Sequence, residues 1–306
     1  MPDASDRIHE WFIETAQSIY EQNRPAMAEA LAPFGLSLPS ATVDIEIVRL
    51  NEEINKEIQS CSAALVTIDE PLKIQLDPWI VLAVANDKGC SNREILESII
   101  PHEMGHVAQY YHPDLRYAAA TGEGTLLSQE DLSALLDESK EVPDRIKRIE
   151  TVFNVREAMH VRRALLEGSA EYVRRRMPQQ EGQQTHAHPG SEDGSDVEFY
   201  YVKAQDFIAQ VVNDSALGPV AIRSLLGLPP EKWDLLPTQE EITCSPRYQS
   251  WLRRIDPAAL ISHAPPPVGI QSEAPNSTFQ GSSPRLGSPS DRGIRQAWKR
   301  FSRHRL

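Results

Sequence analysis

The pentapeptide His102-Glu103-Met104-Gly105-His106 holds the residue types that hydrolytic metal chemistry needs. On a helix of 3.6 residues per turn, side chains four apart share one face, so both imidazoles can reach a single metal ion. Glu103 follows the first histidine and leans toward the same side. Zinc lowers the pKa of a bound water toward about 7, and a nearby carboxylate can then take its proton as the water attacks a carbonyl. The pattern therefore points to His102 and His106 as metal ligands and to Glu103 as general base. The bland alternative is a chance pentapeptide with two satisfied surface histidines. Its place in an apolar helix behind a capping box counts against that.

A catalytic zinc needs a third protein ligand and an open position. His112 would complete the spacing HExxHxxxxxH, which resembles that of metzincins. Those enzymes have a glycine three residues after the second histidine, where their helix breaks, and Gln109 stands there in this chain. If the helix continues, His112 lies about 9 Å further along the axis and about 240° around it, away from a metal at His106. A methionine turn is also missing, since Met159 and Met177 fall in helical sequence. Pro113 marks His112 as the last residue of a stopped helix.

The other candidate lies in Leu166-Glu167-Gly168-Ser169-Ala170-Glu171-Tyr172. With HEMGH, this segment resembles the gluzincins, the thermolysin-like class. The resemblance implies that Glu167 is the third zinc ligand, supplied by a second helix. It implies that Glu171, one turn later, orients a ligand histidine by accepting its other ring N–H. Gly168, Ser169 and Ala170 would let the second helix approach the first closely. Many bacterial and archaeal gluzincin-like proteins of unassigned substrate read HExGH, then EGxAxY, a helix with Tyr and Phe, Pro-Pro, and P-x-x-Y. This chain has HEMGH, EGSAEY, Tyr201 and Phe207, Pro229-Pro230, and Ser245-Pro246-Arg247-Tyr248, the last with one residue instead of two between proline and tyrosine. The similarity spans about residues 60 to 252. Unlike thermolysin, the chain separates its two ligand segments by some sixty residues, which implies an insertion at 113–155. An oxyanion stabiliser is also expected, with Tyr201, Tyr172, His186 and His188 as candidates and Tyr201 preferred.

The elements that must position these residues follow from periodicity and caps. Residues 6–32 place Ile8, Trp11, Phe12, Ala16, Ile19 and Tyr20 at helical spacing. Residues 42–49, 63–68 and 72–76 read as strands, the last two joined by a turn at Glu70-Pro71. Asp77-Pro78 starts a short helix that Lys88-Gly89 ends. Ser91 and Glu94 form a capping box opening a helix to about His112, with a kink expected at Pro101. An acidic, partly helical stretch covers 121–150, and a strong helix covers 155–177. A loop follows over 178–196. Residues 197–262 return to helical spacing, with Phe199, Val202, Phe207, Val211 and Val212 inward.

The expected fold class is α+β and zincin-like: a short, mostly antiparallel sheet packed on the HEMGH helix, then a helical half. The metallopeptidase domain would cover 1–262, as a helix-and-sheet half over 1–120 and a helical half over 121–262, with the cleft between them. Residues 263–293 are rich in Pro, Ser and Gly and are expected to be disordered. From Arg292 to Leu306 there are six Lys/Arg and no acid. Ile294, Trp298 and Phe301 share one helical face there, which suits a membrane-surface or protein-docking tail.

The net charge of -13 argues against nucleic-acid binding by the main domain. Cys61, Cys90 and Cys244 match no zinc-finger or disulfide pattern and read as reduced, packing thiols of a cytoplasmic protein. The N-terminus lacks a secretory pattern, and the apolar run Trp79 to Ala85 is too short to span a bilayer. The leading expectation is zinc-dependent hydrolysis of peptide bonds in a peptide or protein substrate. The runner-up is a narrow regulatory protease acting on one partner, and the third is a non-catalytic metal-binding scaffold, against which the retention of Glu103 speaks.

Overall fold

The computed structural model describes residues 4–49, 63–67, 71–116, 142–177 and 198–262. It is α+β, mostly helical with one small sheet. Helix α1 (Ala4–Leu31) comes first, and a 3-10 turn (Ala32–Phe34) ends at Gly35, whose φ of 66° turns the chain. Strands β1 (Asp44–Ile47), β2 (Ala64–Val66) and β3 (Lys73–Leu76) make the sheet. Helices α2 (Pro78–Lys88) and α3 (Asn92–Tyr111) follow, then the long α4 (Val142–Arg176). A π-helical turn (Glu198–Lys203) runs into α5 (Ala204–Asn213). Four shorter helices close the described chain: α6 (Pro219–Leu226), α7 (Gln239–Thr243), α8 (Ser245–Arg254) and α9 (Pro257–Ser262).

The strand order is β1-β3-β2, with β1 parallel and β2 antiparallel to β3. The sheet is thus mixed rather than mostly antiparallel. β2 and β3, close in sequence, pair antiparallel, with Ala64 opposite Leu76 and Val66 opposite Ile74. The chain between β1 and β2 carries β2 to the far edge of β3, which leaves β1 running alongside β3 in the same direction. Apolar alternation holds: Ile74 and Leu76 are fully buried, while Lys73 and Gln75 are half-buried.

Local signals explain the central helices. Asp77 caps α2 by accepting from the amides of Trp79 and Ile80, and Pro78 occupies its first turn. Gly89 ends α2 at φ 63°. The Ser91 hydroxyl accepts from the Glu94 amide, and Glu94 accepts from the Ser91 amide, so the box closes at the start of α3. α3 runs through Pro101 without interruption to Tyr111. It packs on α1, α4, β2 and β3, and every residue from Ile99 to Gln109 is buried. A helix surrounded on all sides is apolar all round, apart from the motif itself.

Several boundaries and facings differ from the sequence reading. α4 begins at Val142 rather than at 155, so part of the acidic stretch belongs to it. Ile8 and Trp11 are exposed, and the buried face of α1 is Phe12, Ala16, Ile19 and Tyr20. Val202 is exposed in the π-helical turn, whose i→i+5 winding shifts the phase between Phe199 and Phe207. Cys90 is half-buried, but Cys244, between α7 and α8, is exposed rather than a packing thiol of the core. No described helix is long and apolar enough to cross a membrane. Cys61, the 178–196 loop with His186 and His188, and the tail beyond 262 lie outside the described residues.

Candidate metal centre

Three side chains converge where α3 crosses α4. Nε2 of His102 and Nε2 of His106 are 3.1 Å apart, and each is 3.2 Å from Oε2 of Glu167. His102 and His106 come from successive turns of α3, and Glu167 comes from α4, 61 residues beyond His106. Both histidines and Glu103 are buried, and the Glu167 side chain keeps 17% of its surface accessible. Among the described residues these three make a group able to hold a metal ion.

The donor set fits zinc. Ligands about 2.0–2.2 Å from a tetrahedral ion are about 3.3–3.5 Å from one another, close to the triangle observed. Two imidazoles and one carboxylate are also a set that leaves a fourth position open. The same set accepts other divalent first-row metals, so the donors alone do not select zinc.

The surrounding residues set direction and charge. Nδ1 of His106 lies 2.9 Å from Oε1 of Gln109, which directs Nε2 toward the triangle. The amide of Gln109 in turn donates to the Leu166 carbonyl at 3.1 Å and to the Ser169 hydroxyl at 2.9 Å. One buried glutamine thus ties a histidine of α3 to the Glu167 segment of α4. Sequence reasoning treated Gln109 only as a missing glycine, although its place three residues past His106, on the same side of the helix, was a usable signal. Glu171 approaches Nδ1 of His102 at 3.6 Å and is itself clasped by Arg174 and Arg175 at 2.7 Å.

The charges respond to this crowding. Burial alone would lower the His102 pKa, but its contacts with Glu167 and Glu171 raise it to about 9. Burial pushes Glu167 up, yet His106 and His102 outweigh it and hold the carboxyl well below the usual range. Glu171 is likewise held low by Arg174 and His102 against its burial. Glu103 goes the other way: burial raises it, with His106 and His102 opposing and Glu167 adding.

The remaining candidates separate clearly. His112 caps the end of α3, buried, with its ring against the guanidinium of Arg223 from α6. It lies outside the triangle. Tyr172 is a core residue whose hydroxyl accepts from Arg176 at 2.6 Å and whose ring meets Phe34 edge-on. Tyr201, on the π-helical turn, has its ring 5.7 Å from that of His102. Burial pushes its phenol well above the usual value, and Glu167 and Glu103 push it the same way.

The crossing itself depends on small residues. A Cβ on Gly105 would lie 2.9 Å from Cβ and 3.0 Å from Cα of Ala170. A Cβ on Gly168 would meet the backbone of Ala204 in α5 at 2.7 Å. Of the three small residues after Glu167, Ala170 and Ser169 face α3, and Gly168 admits α5.

No protein-family model, curated protein or solved structure matches this chain.

Proposed function

We propose that the protein is a zinc-dependent peptidase, zincin-like in arrangement, that hydrolyses peptide bonds in a peptide or protein substrate in the cytoplasm. The observation that carries this reading is the triangle of His102 Nε2, His106 Nε2 and Glu167 Oε2, with Glu103 buried on the same helix beside it. Zinc bound there would supply Lewis acidity, polarising a carbonyl and acidifying a water at neutral pH. Glu103 takes the proton of the attacking water and delivers it to the leaving amine, a role that a carboxyl raised by burial suits. Tyr201, kept protonated by its surroundings, donates to the oxygen on which negative charge develops. Gln109 and Glu171 hold the two imidazoles in register.

Purified protein is expected to contain about one zinc per chain by elemental analysis. Glu103→Gln is expected to abolish hydrolysis of a broad peptide library while leaving the zinc in place, because that residue handles the proton and not the metal. A protein without a stoichiometric transition metal, or a fully active Glu103→Gln, would sink the reading.

A further inference from the structure

One cation beside the centre has no part in the chemistry described so far. Arg163 lies one turn before Glu167 on α4, and its side chain is 42% exposed while the two histidines of the triangle are buried. Its Nε is 4.0 Å from Oε1 of Glu167, too far for a hydrogen bond. The guanidinium instead stacks over the Tyr200 ring, 5.3 Å from the centroid. Tyr200 is fixed in turn: its hydroxyl is 2.7 Å from Nδ1 of His160, and that imidazole stacks on Phe199 at 4.7 Å and 8°. Among the described residues the Arg163 guanidinium donates no hydrogen bond. Burial works against its charge, and the Glu167 carboxylate outweighs burial and holds it charged. A fork of N–H donors, stacked on Tyr200 and accepted by no described protein group, therefore stands beside the centre.

From this arrangement we infer that Arg163 recognises a substrate carboxylate next to the scissile bond. The inference rests on the metal-centre reading above. A guanidinium fork matches a carboxylate with two parallel N–H bonds, and stacking on Tyr200 holds the fork in place before the ligand arrives. The Nε of Arg163 stands 4.0 Å from Oε1 of Glu167, the carboxylate whose other oxygen belongs to the triangle. A terminal carboxylate, three bonds from the scissile carbonyl carbon, or an acidic side chain on the following residue, suits that placement. Neutral amides at the same place bring no negative charge to the guanidinium, whose nearest carboxylate, Glu167, lies 4.0 Å away.

The test uses the full-length zinc-loaded chain carrying Glu103→Gln, with and without Arg163→Gln, so that binding is read without turnover. Calorimetric titration compares three sets of N-acetylated tripeptides: free acids, the same peptides as C-terminal amides, and amides ending in aspartate or glutamate. Free acids are expected to bind about 10- to 100-fold more tightly than amides, the range of a charge-assisted pair of hydrogen bonds. Arg163→Gln is expected to erase that difference with the zinc content unchanged. Amides ending in an acidic residue that bind as tightly as the free acids show that a side-chain carboxylate serves as well; those that bind like plain amides restrict the fork to the terminus. Acids and amides that respond equally, or a preference that survives Arg163→Gln, overturns the inference. Selective binding of acids by a chain that, with Glu103 intact, hydrolyses none of them would remove the peptidase reading and leave the role of Arg163 standing.

Discussion

At the scale of single residues, the triangle makes a graded prediction for zinc retention against a chelator. Glu167→Ala removes a proposed ligand and is expected to cost the most. Glu171→Ala and Gln109→Leu disturb only the orientation of His102 and His106, and each is expected to cost about 10–100-fold in affinity. His112→Ala is expected to leave zinc retention unchanged but to cost about 1–3 kcal/mol in urea unfolding, because it strips the buried Arg223 of a partner. Loss of zinc from His112→Ala beside normal retention in Glu167→Ala would reverse the ligand assignment. The closeness of the two imidazoles was legible, because it depends only on the helical period. That of Glu167 needed a resemblance to another family, since nothing local links positions 61 residues apart. Arg163 was not legible as part of the site, and Gln109 was so only through its spacing from His106. A glutamine or an arginine in a helix is ordinary, and their meaning comes from the α3–α4 crossing and from the tyrosines of a third element.

At the scale of elements, the centre exists because α3 and α4 pack with almost no space between them. Gly105→Ala would place a methyl group 2.9 Å from Cβ of Ala170. Relief requires the two helices to part, at about 1–3 kcal/mol of stability, as overpacked sites usually cost. The parting also moves Glu167 from the histidines, so zinc affinity is expected to fall together with the urea midpoint. Unchanged affinity in a destabilised Gly105→Ala would show that the site tolerates a looser crossing. Element types were legible wherever a cap announced them: Asp77, Gly89, Ser91 and Glu94 bound α2 and α3 as expected. The sheet's direction was less so, because strand pairing is a long-range choice that alternation within a strand does not encode. The π-helical turn escaped as well, since one residue of wider winding leaves no mark in composition and shows only as Val202 rotated outward.

At the scale of the whole molecule, one apolar cluster runs from Phe12 in α1 to Leu260 in α9. Tyr20 lies fully inside it, and its hydroxyl has no hydrogen-bond partner among the described residues. Burial pushes that phenol up to about 12, with Arg24 opposing and Glu21 adding. The unfolded chain releases the proton near pH 10, so its contribution to stability is complete below that pH and is lost as pH rises toward 12. Tyr20→Phe is expected to flatten the fall of the urea midpoint between about pH 10 and pH 12, the window between the two pKa values, and an identical fall in both proteins would show that Tyr20 does not drive it. The 61-residue separation between His106 and Glu167 has its own consequence. An ion held by both would act as a clasp on a long loop, and the entropy of closing a loop rises only with the logarithm of its length. Doubling that connection would weaken the clasp by about 0.6 kcal/mol, less than half of a tenfold change in affinity. The length of chain between α3 and α4 is therefore nearly free to vary without disturbing the atoms it joins, whereas a single methyl group at their crossing is not.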